Sequence, residues 1–259
     1  MSSMDVFWAA PPISRTLAAS AFILSISVYT GFVPFHAVIF DPKNIWTIPP
    51  QLWRLVTPFL ITGKELGIIF DTYFLYQYGS KLETSSPKFS QPGDFATYIL
   101  FVSSVIVGLN MFIDGFIFTS ALVLAFAYTS CQDDKGQKAN FYIITIPALW
   151  VPYAMLLVNF LMAGPEVAKV QVTGLLAAHL HYFLTHLWPT FGGGKNLIPT
   201  PGFIRNIWEQ KQPSTQGRGY STSHKSFSPQ NPQSVPGRTN RILPQSWQSR
   251  GSGHRLGGN

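Results

Sequence analysis

The chain has 259 residues, with 18 Lys or Arg against 11 Asp or Glu and a formal net charge of +7. Charged residues make up 11% of it, against roughly 25% in an ordinary soluble domain, while 46% is hydrophobic and 15% aromatic. The few charges are crowded together and leave long blocks with none, which excludes an ordinary soluble globular domain; the single cysteine, Cys131, excludes an intrachain disulfide framework.

Residues 16–40 are the first charge-free block, long enough for a membrane span of about 20 apolar residues. The block is too long for the core of a signal peptide, and no small-x-small cleavage site stands out, so it reads as a retained span. The loop at 36–57 holds Phe40, Trp46, Ile48, Leu52 and Trp53 together with Pro42, Pro49 and Pro50. A connector that apolar belongs in the membrane interface, where Trp is favoured. Within it, Trp53 can anchor while Arg54 hydrogen-bonds loop carbonyls.

Residues 66–80 are apolar and aromatic but contain Asp71; extended back to Pro58 they reach spanning length. A carboxylate facing lipid is costly, so Asp71 is expected to face protein or water. Further charge-free blocks at 95–113, 115–132, 139–165 and 170–194 bring the expected number of spans to six. Gln77, Asn110, Asn159 and Gln171 are further candidate inward-facing polar groups of these spans. Six spans put both termini on one side. Arg15, Lys81, Lys88, Lys135, Lys138 and nine tail cations share that side, against Lys43, Arg54, Lys64 and Lys169 opposite. The positive-inside rule then places the termini in the cytosol.

From Thr190 the composition turns to Gly, Ser, Pro and Gln, with nine Lys or Arg against Glu209 alone. Such a segment cannot bury enough apolar surface to offset its ordering entropy, so residues 190–259 read as a disordered basic tail. It is expected to be drawn to anionic lipid of the bilayer. No aromatic-basic module accompanies it, and nucleic acid is not an expected partner.

Three side-chain groups could carry chemistry. His179 and His186, seven residues apart, share a helical face, whereas His181 lies about 200° from His179. No second cluster of His, Cys or carboxylates completes a metal site, and no cofactor is expected. Ser120 in the fourth span is a candidate nucleophile or a packing hydroxyl. Gly174 and Ala178 form a small-xxx-small spacing that lets another backbone approach closely.

Taken together, these segments resemble the Derlin family, inert relatives of the rhomboid proteases. The likeness runs from about Val6 to Pro189. It rests on Pro11-Pro12-Ile13-Ser14-Arg15, on Pro50-Gln51-Leu52-Trp53-Arg54-Leu55-Val56-Thr57-Pro58-Phe59, on Phe74-Leu75-Tyr76-Gln77-Tyr78 with Leu82-Glu83, and on the Gly174–Ala178 pair. It implies an all-α integral membrane protein whose residues 1–189 form a rhomboid-like bundle of six transmembrane helices. Rhomboids carry Gly-x-Ser-Gly in the fourth span and a His three residues before the sixth-span Gly. Here Ser120 is flanked by no glycine, and Gln171 stands at the histidine position. The resemblance therefore implies a pseudoprotease.

The end of the chain, Arg250-Gly251-Ser252-Gly253-His254-Arg255-Leu256-Gly257, is similar to the SHP box by which several Derlins bind valosin-containing protein, an AAA+ segregase. Gly251, Gly253, Arg255 and Leu256 keep its frame, while Arg250 replaces the usual aromatic. By resemblance the chain is expected in the endoplasmic reticulum membrane. There it would act in the degradation of misfolded client proteins, alongside a membrane-embedded ubiquitin ligase complex. Two other classes compete: an intramembrane serine protease using Ser120, and a proton- or ion-coupled transporter using Asp71 and the histidines. The transporter reading lacks visible inverted repeats.

Overall fold

The computed structural model describes residues 3–45, 50–91, 93–141, 144–191, 198, 200–202 and 204–205. All of them belong to one compact unit, Met1–Pro213. Short pieces flank or interrupt its long helices, among them α1 (Ser3–Ala9), α3 (Phe35–Val38), α4 (Pro42–Ile45), a β-hairpin and several single turns. The long helices are α2 (Pro12–Tyr29), α5 (Leu66–Ser85), α6 (Asp94–Ile113), α7 (Thr119–Asp133), α8 (Val151–Ala163) and α9 (Pro165–Tyr182).

Helix α2 starts where its sequence says it should. Pro12 occupies the first turn, where a missing N–H costs nothing. The next two N–H groups, of Ile13 and Ser14, donate to the Glu83 carboxylate of α5 at 3.0 and 2.8 Å, and the Ser14 hydroxyl donates to it at 2.6 Å. A carboxylate at a helix N-terminus is favoured by the aligned peptide dipoles. One residue thus caps α2 and fastens it to α5. At the same end of the bundle Lys81 pairs with Asp134, and Lys88 with Asp133 at 2.7 Å.

At the centre stands α7, which packs against α5, α6, α8 and α9. Every residue from Ala121 to Cys131 is buried. Around it lie Leu75 and Leu82 of α5, Tyr98, Val102 and Ile106 of α6, and Ala177 and Ala178 of α9. The closest approach is at Gly174: a methyl group there would overlap the Ala121 carbonyl oxygen and sit 2.6 Å from its carbon. Only a residue without Cβ lets the two backbones meet.

Six long helices stand where six spans were expected, but only α2 and α6 are both long and apolar enough to cross a membrane. The stretch Ala148–Ala163 is apolar but shorter. With 15 residues, α7 rises about 22 Å against a hydrocarbon core of about 30 Å. The outer surface is nonetheless apolar, with Phe22, Ile23, Leu100, Phe112, Phe160 and Leu161 all exposed.

Two expected span boundaries are corrected. The second span does not reach back to Pro58, because Glu65 has φ 54° and breaks the helix before Leu66; the helix runs on to Ser85 instead. The block at 139–165 is not one helix, so the fold is not wholly helical. Lys138–Phe141 pairs antiparallel with Ile144–Pro147, Lys138 opposite Pro147, and the helix begins only at Val151. Ile144, Thr145 and Ile146 are β-branched and favour the pleated chain. Packed structure also continues past Pro189: Ile204 is buried, and a Cβ on Gly93 would meet it at 2.9 Å.

The Gly174 contact sets the first test. Gly174→Val forces side-chain atoms into the Ala121 backbone and should abolish a monodisperse peak in detergent. Ala178→Gly should keep that peak at a cost of about 1–2 kcal/mol. Equal recovery of the two variants on size exclusion would show that the close contact carries no weight.

Candidate functional site

The first loop is held by a buried cation. Arg54, 4% exposed, lies in a short 3-10 turn, Leu52–Leu55. Its Nη1 donates to the carbonyls of His36 and Ile39 at 2.8 and 2.9 Å, and its Nε to the Gln51 side chain at 2.5 Å. A guanidinium suits this position because it presents several donors in a fixed plane. Beside it, Trp53 donates to the Ala37 carbonyl at 3.2 Å while its ring stays 52% exposed. The Thr57 hydroxyl adds a 2.7 Å bond to the Val38 carbonyl. Arg54 therefore points into the loop and Trp53 outward from it.

Beyond that clamp the chain makes a second short 3-10 turn, Thr57–Phe59, and runs on irregularly to the start of α5. Its backbone is satisfied by side chains that sequence reasoning did not single out. Thr62 N–H donates to Ser25 at 2.9 Å, Tyr29 donates to the Thr62 carbonyl at 2.6 Å, and Thr119 to the Ile61 carbonyl at 2.6 Å. Phe118 N–H donates to the Pro58 carbonyl at 2.8 Å. Buried backbone outside a helix requires such partners.

This segment lines an open cavity of ≈ 530 Å³ together with residues of α5, α7, α8 and α9 and the turn at 113–117. The walls are mainly apolar, with Phe70, Phe74, Met155 and Val170 among them, and Asp71, Ser120 and Asn159 converge on the same space. The Asp71 carboxylate accepts the Gly63 N–H at 2.9 Å through Oδ2. Glu65 and Asp114, which line it as well, are the two non-glycine residues with positive φ among the described residues. Gly115 beside Asp114 is also constrained, since a Cβ there would collide with Asn110 Oδ1 and lie 2.9 Å from Val170.

The remaining expected polar groups divide. Asn110 is buried between α6 and α9, where Nδ2 donates to Ile106 at 2.8 Å and Thr173 at 2.9 Å. Gln171 is buried as well, and its Oε1, like Asn110 Oδ1, has no hydrogen-bond partner among the described residues. Gln77 is the exception: it is exposed, one residue off the buried Phe74–Tyr78 face of α5. The terminal residues Gly251, Gly253, Arg255 and Leu256 lie outside the described residues.

The histidines also sort differently from their expected pairing. His179 meets the Tyr128 hydroxyl at 2.8 Å. His181 and His186 instead line one polar cavity of ≈ 420 Å³ together with Lys88, Asp94 and Thr200. The reason is a π-helical turn, Phe183–Leu187, whose wider winding puts residues five apart on one side. Ser120 has no hydrogen bond to a histidine among the described residues. It sits eight residues, about 12 Å along the axis, before Tyr128, the His179 partner. Among the described residues no group of three or more His, Cys, Asp or Glu is placed to hold a metal ion.

Removing Arg54 should cost more than removing its neighbour. Arg54→Ala strands two carbonyls and a side-chain amide in a buried loop, a loss of about 2–3 kcal/mol. Trp53→Ala removes one long bond from an exposed ring and should cost less in detergent. Thermal unfolding of both variants measures the difference, and an Arg54→Ala midpoint equal to that of the parent would show that the clamp does not hold the loop.

Comparison with known proteins agrees with this architecture. The model of the Der1-like family matches residues 10–202. The human Derlin-1 is 27% identical over 223 residues, covering 83% of this chain and 86% of its own length. The Arabidopsis thaliana Derlin-1 is 28% identical over 214 residues, covering 80% and 78%. A probable derlin-1 homolog of Dictyostelium discoideum is 24% identical over 250 residues, covering 95% and 96%. The matched stretch includes all six long helices, the first loop and its Arg54 clamp. By that match the chain belongs to the Der1-like family, a family of membrane proteins.

Proposed function

We propose that this chain is a non-catalytic factor of endoplasmic-reticulum-associated degradation, lodged in that organelle's membrane with both termini in the cytosol. It receives misfolded proteins at the cavity between α5 and α8 and eases their return to the cytosol. There a membrane-embedded ubiquitin ligase and an AAA+ segregase, valosin-containing protein, take them over. The observation that carries the reading is the ≈ 530 Å³ apolar cavity with Asp71, Ser120 and Asn159 on its walls, lined in part by the short helices α7 and α8. Likeness to the Derlin-1 proteins supports the same assignment.

The physical step is a change of medium. Helix α8 has 13 residues, and with the preceding 3-10 turn it rises about 25 Å, short of the usual core of about 30 Å. Lipid against its exposed Leu157, Phe160 and Leu161 must thin to match it. A thinner layer lowers the cost of moving polar polypeptide across. Trp53 anchors the first loop in the interface. The separation of Ser120 from the histidines supports a role without peptide-bond cleavage.

A client stalled during export tests the assignment. Photoreactive side chains at Phe74 in α5 and Met155 in α8 should capture it, whereas one at Leu100 on the outer face of α6 should not. Capture that is equal at all three positions would contradict a defined client site. Recovery of client fragments whose formation depends on Ser120 would revive the protease reading.

The tail has its own test. A soluble peptide of residues 195–259 should retain the segregase. Gly253→Val with Leu256→Ala should abolish retention, because an extended strand needs close backbone approach and one buried apolar side chain. Neutralising Arg238 and Arg241 should leave retention in place, and Arg250→Trp should strengthen it. Binding by the double variant would leave only an electrostatic tail, which raised salt would silence.

A further inference from the structure

Asp71 is an unusual residue for the wall of an apolar cavity. It lies five residues into α5, about 7.5 Å along the axis, with Phe70 and Phe74 on its own helix and Met155 among the facing residues. Its Oδ2 is held by the Gly63 N–H. Oδ1 makes no hydrogen bond, and no cation lies within ion-pair distance of Asp71, among the described residues. A carboxylate in such surroundings carries a desolvation cost that a bound cation offsets.

The charges lining the cavity reinforce that bias. Glu65, Asp114 and Glu166 line it as well, against Lys64 as the one lining cation among the described residues. Lys169 pairs with Glu166 at 2.8 Å but does not line the space. The field inside is therefore negative over apolar walls, and it excludes a negatively charged occupant as firmly as it attracts a positive one.

We propose that the cavity selects apolar polypeptide segments that carry a Lys or Arg, with the cation paired to Asp71 and its aliphatic stem laid on Phe70, Phe74 and Met155. The inference rests on the client-site reading above and names the class of client that site takes. Long cationic side chains suit it because their stems are apolar and their heads are not. A membrane segment bearing a basic residue also has no stable place in lipid unless a partner neutralises it. Such a segment, orphaned from its partner, presents the chemistry this wall complements.

The test uses the full chain in lipid vesicles, with a photoreactive residue at Met155 and three single-span peptides. These differ only in having Lys, Leu or Asp five residues from the end that enters at the first-loop side. Capture of the Lys peptide should exceed that of the Leu peptide by about fivefold, in line with polar pairing inside membranes, and the Asp peptide should be captured least. Asp71→Asn should bring the Lys-to-Leu ratio close to one, Asp71→Glu should retain the preference, and Asp71→Lys should turn it toward the Asp peptide. Size-exclusion profiles establish that each variant is folded. Equal capture of all three peptides by the parent chain, or a Lys preference that survives Asp71→Asn, overturns the charge selection and leaves the client site standing. Capture of no peptide overturns both.

Discussion

The contact of Gly174 with the Ala121 backbone is the constraint from which the rest of the bundle follows. With no Cβ between them, α9 and α7 lie close enough for α7 to be buried along its whole middle. That fixes α6 through the Asn110–Thr173 bond and α8 through its packing on both helices. A buried central helix need not be long, because its ends face protein. The short central helix and the cavity beside it are thus two outcomes of one close approach.

The second constraint is backbone satisfaction in the first loop. A chain that leaves α2, folds back through the bundle and enters α5 exposes many N–H and carbonyl groups to a dry interior. Arg54 gathers two of those carbonyls; Ser25 and Tyr29 satisfy the Thr62 N–H and carbonyl, and Thr119 the Ile61 carbonyl. The strained Glu65 and Asp114 mark where the chain turns beside the cavity. Backbone held in such conformations persists only where its surroundings over-determine it. Here Glu65 stands at the start of α5 and Asp114 at the end of α6.

Much of this was legible in the residues. The small-residue spacing at Gly174 and the donors of Arg54 have direct physical meanings: Gly174 lies against the Ala121 backbone, and Arg54 donates to the His36 carbonyl. Charge-free blocks overlap five of the six long helices but do not give their ends, since the absence of charge does not distinguish a strand from a helix. Pro147 and the β-branched run before it were the missed signal for the hairpin. The pairing of His181 with His186 was out of reach of ideal helical geometry, because it depends on a π-turn. Asp71 was recognisable as a costly carboxylate, but its meeting with Ser120 and Asn159 depends on how three helices converge. Gln77 reads as polar and intramembrane from its neighbours, yet one residue of phase turns it outward.

In the proposed function the chain acts by physical rather than chemical means. It alters the lipid layer around it and offers a shaped, negatively charged recess to a polypeptide. The direct measurement is the local thickness of the lipid layer around the full chain in a nanodisc, read from headgroup density by cryo-electron microscopy. The layer should be thinner by about 5 Å against α8 than against α6, which has 20 residues and spans about 30 Å. A layer of uniform thickness around the whole bundle would contradict a role in thinning the membrane.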